Sequence, residues 1–158
     1  MIAIFFRSTY IVALGGVAIV TAIWLSWKEG PVTRHPIPVP EQEPNNTFEQ
    51  TGDLFANTVH TGVISSDTDV DFWMADNRYM EASHLVSLSL TDIPEGTDYD
   101  IVAYDEFATI IAKSANMGNL SELLQFVPVP GKIYYFKVYS STGSNPDGWY
   151  LLEVNSFY

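Results

Sequence analysis

Oxygen-bearing side chains are concentrated in two short segments of this sequence. The stretch EQEPNNT, which begins at Glu41, holds two glutamates and two asparagines, and the stretch SSDTDVDFW, which begins at Ser65, holds three aspartates. Calcium prefers about six to eight hard oxygen ligands from carboxylates, amides and backbone carbonyls. Glu41 and Glu43 lie two residues apart, so their side chains point to the same side of an extended segment. If a first strand brings the two segments together, their oxygens converge on one cation site.

A structural role is the alternative for the same residues. Asp and Asn in loops also cap turns and keep the surface soluble, and EPNN could serve only to fix how the chain enters its domain. Magnesium suits such a site less well than calcium, because it demands strict octahedral geometry and loop ligands are soft. The residue types alone leave both readings open.

The other reactive residues form no recognisable catalytic pattern. Asp98 and Asp100 are paired carboxylates that could do acid–base chemistry, but they begin an expected strand. His35, His60 and His84 lack the HxxxH or HExxH spacing of a metal site, and the sequence has no GxSxG, Walker or dinucleotide motif. We therefore expect a protein that is not an enzyme.

Composition narrows the range of partners. The chain of 158 residues has no cysteine, which excludes disulfides and thiolate zinc sites, and its net charge is -12. Beyond Gly30, 18 acidic residues stand against 5 basic ones, so this part carries -13. Such a field repels nucleic-acid backbones and anionic lipid surfaces. We expect no nucleic-acid partner, whereas cations and basic protein surfaces fit the charge.

The uncharged apolar run from Ile11 to Trp27 predicts a transmembrane helix. Its helical length of about 26 Å approaches the hydrocarbon thickness of a bilayer. A cleaved signal peptide is the alternative, but six mostly bulky apolar residues precede the first charged side chain, Arg7, and no small-x-small cleavage site ends the run. We expect an uncleaved anchor over residues 1–29, in contact with the lipid bilayer.

One face of the expected anchor helix carries small residues. Gly15, Ala18 and Ala22 are spaced three and four residues apart, so they share a face on which a second helix can approach closely. Gly and Ala are also common in membrane helices without such a role. The pattern favours packing of helix 11–27 against integral membrane subunits.

A proline-rich stalk and an all-β domain follow. Five prolines fall between Gly30 and Pro44, which excludes a helix interior and predicts an extended stalk over residues 30–40. Residues 41–158 alternate apolar and polar positions in short runs between turn signals. Tyr134, Phe136 and Val138, for example, share one face. About eight strands in some 110 residues predict an antiparallel β-sandwich, jelly-roll-like, with no soluble helix.

Five motifs, in order, resemble the bacterial pre-peptidase C-terminal domain family, which is related to the collagen-binding domains of collagenases. EQEPNNT resembles the family's opening ExEPN[ND][ST], and TGVISSDTDVDFW resembles its GxI segment followed by DxD[YF][FW]. TDYDIVAYDE, PGKIYYFKVYS and GWYLLEV resemble its next strand motifs. The resemblance spans residues 41 to about 154. It implies a β-sandwich outside the cytoplasm, here in the periplasm behind an anchor in a bacterial inner membrane.

The resemblance also implies a set of calcium ligands, since these two segments supply the ligands in calcium-binding members of the family. The residues that match are Glu41, Glu43, Asn45, Asp67 and Asp69, followed by Asn46 and Asp71. Calcium is therefore the one cofactor that we expect.

Two functional hypotheses follow, because the family's domain usually follows a secreted enzyme and no enzyme precedes it here. The first is a single-pass accessory subunit that docks onto a larger membrane complex, such as an energy-converting assembly. The second is a tethered, calcium-stiffened binding module for an extracellular protein or polysaccharide. Tyr135, Tyr139 and Trp149 are candidates for an exposed aromatic contact patch in either case. A core role is the alternative for these aromatic residues.

Overall fold

Two β-sheets packed face to face form the domain. The computed structural model describes residues 37–77 and 85–156, all within the unit His35–Tyr158. The described residues contain ten strands and no helix: β1 Val39–Pro40, β2 Gly52–Asp53, β3 Val59–Gly62, β4 Val70–Asp76, β5 Val86–Thr91, β6 Asp98–Tyr104, β7 Ile110–Ser114, β8 Glu122–Phe126, β9 Ile133–Thr142 and β10 Tyr150–Ser156. The predicted all-β sandwich is confirmed.

The chain crosses between the sheets at almost every connection. One sheet has the order β1-β3-β10-β5-β8, and the other has the order β2-β4-β9-β6-β7. Without the two-residue strands β1 and β2, each sheet keeps four strands in the arrangement of a jelly roll. The eight longer strands coincide with the eight that the alternating sequence pattern predicts.

The sandwich differs from the prediction at two of its edges. The sequence pattern predicts antiparallel pairing throughout, but β1 pairs parallel with β3, and β2 pairs parallel with β4. Each of these pairs is only two residues long, which is too short to leave a periodicity in the sequence. β1 also lies inside the predicted stalk 30–40, and Pro40 fits there because an edge strand does not require every backbone N–H.

Alternating side chains fill the space between the sheets. Tyr134, Phe136 and Val138 of β9 are buried as predicted, and they face Leu152 and Val154 of β10. Trp73 is 1% exposed and anchors the centre of this core. The core therefore fixes the positions of the end of β3 and the starts of β4 and β10, and polar side chains meet there.

The predicted anchor over residues 1–29 lies outside the described residues, as do Gly15, Ala18 and Ala22. Among the residues that are described, no helix could cross a membrane.

Candidate metal centre

Backbone hydrogen bonds hold the EQEPNN segment between the ends of β3 and β4. Glu41 N donates to Thr61 O of β3 at 2.8 Å, and Phe72 N of β4 donates to Asn45 O at 2.8 Å. The segment thus spans from one sheet to the other. This placement brings the first acidic segment beside the start of β4, as the two-segment hypothesis requires.

Three carboxyl groups converge at this junction. One ligand oxygen from each of Glu41, Glu43 and Asp71 lies within 4.8 Å of the others. Calcium–oxygen bonds of about 2.3–2.6 Å allow two ligands of one ion to lie up to about 5 Å apart. The three groups, which we call the acidic cluster, are therefore close enough to bind one ion together.

Two buried acceptor oxygens at the acidic cluster have no donor. Asn45 Oδ1 and Asp71 Oδ1 are both buried and unpaired. The amide of Asn45 is oriented by its Nδ2, which donates to Glu41 Oε2 at 3.2 Å, while Asn45 N donates to Glu43 Oε2 at 2.9 Å. A buried oxygen without a partner costs about 1–3 kcal/mol. A cation is a partner that would satisfy such oxygens.

Burial and mutual repulsion disfavour negative charge at these carboxyls. Burial, together with the nearby Glu41 charge, raises the pKa of Asp71 to about 9. Burial likewise raises the pKa of Glu41, against the opposing effect of a hydrogen bond from Val63 N at 2.7 Å. Two acids this close cannot both ionise easily unless a proton or a cation lies between them.

A chain of hydrogen bonds fixes Asp71 from the core side. Trp73 Nε1 donates to Tyr150 Oη at 3.0 Å, and Tyr150 Oη donates to Asp71 Oδ2 at 2.6 Å. Tyr150 is fully buried, and burial raises its pKa well above the usual value, so it stays a neutral donor. Oδ2 of Asp71 is thereby occupied, and its unpaired Oδ1 is the oxygen left for a ligand.

The acidic cluster also requires a glycine at position 62. A Cβ added at this position would overlap the hydroxyl end of Tyr150 and would lie 2.6 Å from Glu41 Oε2. Only glycine therefore lets the Tyr150 ring and the Glu41 carboxyl meet at the end of β3. Neither Gly62 nor Tyr150 is among the site residues predicted from the sequence, although the strand pattern does predict that Tyr150 points inward. Both lie in quoted motifs, but a glycine and an aromatic residue carry no metal-ligand signal.

The remaining predicted ligands lie outside the acidic cluster, and two of them hold the loop before β4 through hydrogen bonds. Asp69 Oδ2 accepts hydrogen bonds from Ser65 N and Ser65 Oγ, both at 2.7 Å, so it closes the loop that leads into β4. Asn46 Nδ2 donates to Asp69 Oδ1 at 2.8 Å in the amide orientation that satisfies its neighbours. Asp67 is exposed and does not join the acidic cluster. The structure thus gathers Glu41, Glu43, Asn45 and Asp71, and separates Asn46, Asp67 and Asp69 from them.

The three predicted aromatic contact residues do not share one environment. Tyr135 is half-buried, and its ring lies 5.2 Å from that of Phe48. Tyr139 lies between two lysine side chains and donates to Asp100 Oδ2 at 2.6 Å. Trp149 is 61% exposed and lies just before β10, in the other sheet. Tyr135 and Tyr139 share the outer face of the β2-β4-β9-β6-β7 sheet.

Comparison with known proteins finds a likeness to solved structures. No family model and no curated protein matches the chain. Twelve chains of solved structures match. One is the pre-peptidase C-terminal domain of a collagenase from Bacillus anthracis, which is 21% identical over 77% of this chain and 97% of that chain, with a TM-score of 0.49.

Proposed function

We propose that the protein is a non-enzymatic, membrane-tethered β-sandwich module whose acidic cluster binds one calcium ion. Glu41, Glu43, Asn45 and Asp71 would hold the ion. The observation that carries this proposal is the pair of buried oxygens, Asn45 Oδ1 and Asp71 Oδ1, that lack any donor beside three converging carboxyl groups. One ion at this point would provide the missing partner for both oxygens.

The donor set favours calcium over other cations. All four side chains offer hard oxygens, and neither histidine nor cysteine belongs to the cluster. Calcium accepts irregular sets of oxygen ligands, whereas magnesium demands octahedral geometry and zinc prefers nitrogen or sulfur. Glu43 is exposed, so water can supply the coordination positions that the four side chains leave.

Binding at this point would stiffen the attachment of the domain. The segment 41–45 leads from the predicted stalk into the sandwich, and an ion would join it to β4 through Asp71. A ligand that binds only the folded state at 100 times its Kd adds about 2.7 kcal/mol to the free energy of unfolding. Calcium would therefore act on orientation and stability rather than on chemistry.

Terbium provides a direct test, because it binds oxygen ligands as calcium does and emits when a nearby aromatic ring is excited. Tyr150 donates to Asp71, and Trp73 donates to Tyr150, so both rings lie close enough to sensitise an ion in the cluster. We expect emission from the full-length chain that calcium suppresses and magnesium does not. Loss of emission in Asp71→Asn but not in Asp69→Asn would assign the site. Equal emission in both variants would refute it.

A second candidate function is the accessory subunit of a larger complex in a bacterial inner membrane, with the sandwich in the periplasm. The outer face of the β2-β4-β9-β6-β7 sheet favours it. There, the Lys113 and Lys137 side chains lie 5.6 and 5.2 Å from the ring of Tyr139. Two of the five basic residues beyond Gly30 thus lie against aromatic rings on one face, and aromatic residues are enriched at protein interfaces.

Isolation from native membranes in mild detergent tests this second function. A companion protein in fixed stoichiometry, lost when Tyr139→Ala is introduced, would support docking through this face and packing of the anchor against integral membrane subunits. Purification of the chain without a companion would contradict it and would leave the calcium-stiffened binding module as the function.

A further inference from the structure

Both sheets end on the same side of the molecule. β7 is the last strand of one sheet, β8 is the last strand of the other, and the two strands contact each other across the sandwich. We use the name β7–β8 side for residues 107–129, which include both strands and their connections. Large apolar side chains of this side are 39–84% exposed: Phe107, Ile110, Ile111, Met117, Leu120, Leu123, Val127 and Val129. Exposed apolar surface on this scale marks an interaction site rather than ordinary surface.

The β7–β8 side also lacks the negative charge of the rest of the domain. Residues 107–131 contain one acidic residue, Glu122, whereas the part beyond Gly30 contains 18 in all. Glu122 is fully buried and accepts hydrogen bonds from Asn116 N at 2.6 Å and from Ser114 Oγ. The one basic residue, Lys113, lies 3.6 Å from Asp100 of its own chain. Residues 107–131 therefore carry no exposed carboxylate. Asp105 and Glu106 lie immediately before them, and Glu106 forms an ion pair with Lys132.

Charged side chains often protect an unpaired sheet edge from pairing with another strand, but here a β-bulge and a side-chain hydrogen bond have this role. The pairing of β6 with β7 shifts register between Ala103 and Tyr104, which leaves Ile111 as an extra residue in β7. On β8, the outward Leu123 N donates to Ser114 Oγ at 3.2 Å. Both features disfavour backbone pairing with an added strand. A partner would therefore contact this side through side chains.

The β7–β8 side carries both a groove and projecting side chains. Ile111, Phe126, Val127, Val129 and Tyr134 form the apolar lining of a groove of about 290 Å³, which suits one large side chain. Asp105, Glu106 and Lys132 also line this groove, and Lys132 forms an ion pair with Glu106. At the opposite end of β7, in the β7–β8 connection, Met117 projects with 84% of its surface exposed. Methionine fills irregular apolar gaps well because it is unbranched and flexible.

We propose that the β7–β8 side is the interface with a second copy of this chain, related by a two-fold axis. Such an axis places β7 of one copy antiparallel to β7 of the other, so Met117 of each copy approaches the groove of its partner. Symmetric dimers are built from such self-complementary surfaces, in which the same two contacts occur twice.

Charge and area both favour a second copy as the occupant. Two bodies that each carry -13 beyond Gly30 repel each other at most faces, but this side carries few exposed carboxylates, and Glu106 at the groove is paired with Lys132. A basic partner would gain little here and would be drawn to the acidic faces instead. A stable interface needs about 800 Å² per partner, and eight large apolar side chains provide an area of that order.

Cysteine cross-linking of the full-length chain in cells tests the dimer, because the chain has no cysteine of its own. Ile110 and Leu120 are 60% and 62% exposed on the proposed interface, and Trp149 is 61% exposed away from it, which makes it a matched control. Each is replaced by cysteine and treated with a short bis-maleimide. We expect a product of twice the chain mass from Ile110→Cys or Leu120→Cys and none from Trp149→Cys.

A second substitution links the product to this interface. Leu123→Glu, at a site 53% exposed, adds facing carboxylates across the axis and should abolish cross-linking, whereas Leu123→Ala should keep it if the protein is folded. Three results would overturn the proposal: no doubled product at either interface position, equal product at Trp149→Cys, or cross-linking that Leu123→Glu leaves unchanged. A product with a different protein in place of the second copy would also overturn it.

Discussion

The acidic cluster and the β7–β8 side depart from ordinary protein structure in opposite directions. In the acidic cluster, the polar oxygens Asn45 Oδ1 and Asp71 Oδ1 are buried without donors. On the β7–β8 side, apolar side chains such as Phe107 and Met117 are 77% and 84% exposed. Folded proteins normally pair buried polar groups and keep large apolar patches from water.

Each departure indicates what the isolated chain lacks. Unpaired buried oxygens among carboxyl groups call for a cation, and a side covered by exposed apolar side chains calls for another protein surface. The two regions lie at different places in the sandwich, since one joins β3, β4 and β10 and the other joins β7 and β8. Changes in one region should therefore leave the other unaffected.

The largest expected effect comes from filling the space at Gly62. Gly62→Ala forces a methyl group against Tyr150 and Glu41, so we expect a loss of roughly 3 kcal/mol or more in the free energy of unfolding. Gly52→Ala is the matched control, because its Cβ would lie 3.3 Å from the Trp73 ring, where a small shift suffices. Denaturant unfolding measures both. Equal effects would show that the cluster is not tightly packed.

The effect of Asp71→Asn on the free energy of unfolding should depend on calcium. In chelator at neutral pH, Asp71 holds a proton because its pKa is about 9, so the substitution exchanges one neutral polar group for another and we expect no loss of stability beyond about 1 kcal/mol. In excess calcium, it should lack the stabilisation of about 2–3 kcal/mol that the ion adds to the unsubstituted chain. Asp69→Asn, which weakens only the Ser65 loop contacts, should cost the same under both conditions. A calcium-independent loss in Asp71→Asn would contradict a metal role.

The pH dependence of stability should also reveal the acidic cluster. The pKa of Asp71 rises from 3.8 to about 9 on folding, so the folded state holds a proton that the unfolded state releases. Without calcium, stability should therefore fall as pH rises from 7 to 9, by at most about 1.4 kcal/mol per pH unit for one proton. His60, whose pKa burial lowers, contributes a slope of the opposite sign, which fades as pH rises above the ordinary histidine pKa of 6.5. Saturating calcium should remove the slope.

The smallest effect should come from the β7–β8 side. Leu123→Ala removes an apolar side chain that is already 53% exposed, so we expect a change within about 0.5 kcal/mol in monomer stability. The adjacent Leu124 is 2% exposed, and Leu124→Ala should cost about 2–5 kcal/mol. Urea unfolding at low protein concentration measures both. A large loss for Leu123→Ala would mean that this side belongs to the monomer's core.

The sequence predicts the sandwich well because its strands alternate. Leu88 and Leu90, or Tyr150, Leu152 and Val154, point inward with a period of two, and each set is buried. The parallel strands β1 and β2 are not predictable, because a strand of two residues is too short to show an alternating pattern. β1 forms where the stalk meets β3, which is a tertiary contact rather than a local preference.

The candidate site is only partly predictable from residue types. Glu41 and Glu43 follow from their spacing in an extended segment. The choice among Asp67, Asp69 and Asp71 depends on which aspartate the start of β4 turns toward Tyr150 and which one closes the Ser65 loop. Gly62 matters only through its close approach to Tyr150, which is 88 residues later in the chain. The β7–β8 side cannot be predicted from the sequence, because it depends on the strand order that places both sheet edges together.

Calorimetric titration of calcium into the chelator-treated full-length chain is the most direct test of the claim that a cation completes the acidic cluster. We expect one ion per chain, binding that is lost in Asp71→Asn and retained in Asp69→Asn, and weaker binding as falling pH protonates Glu41 and Asp71. No heat of binding at millimolar calcium, or binding that Asp71→Asn leaves intact, would contradict it.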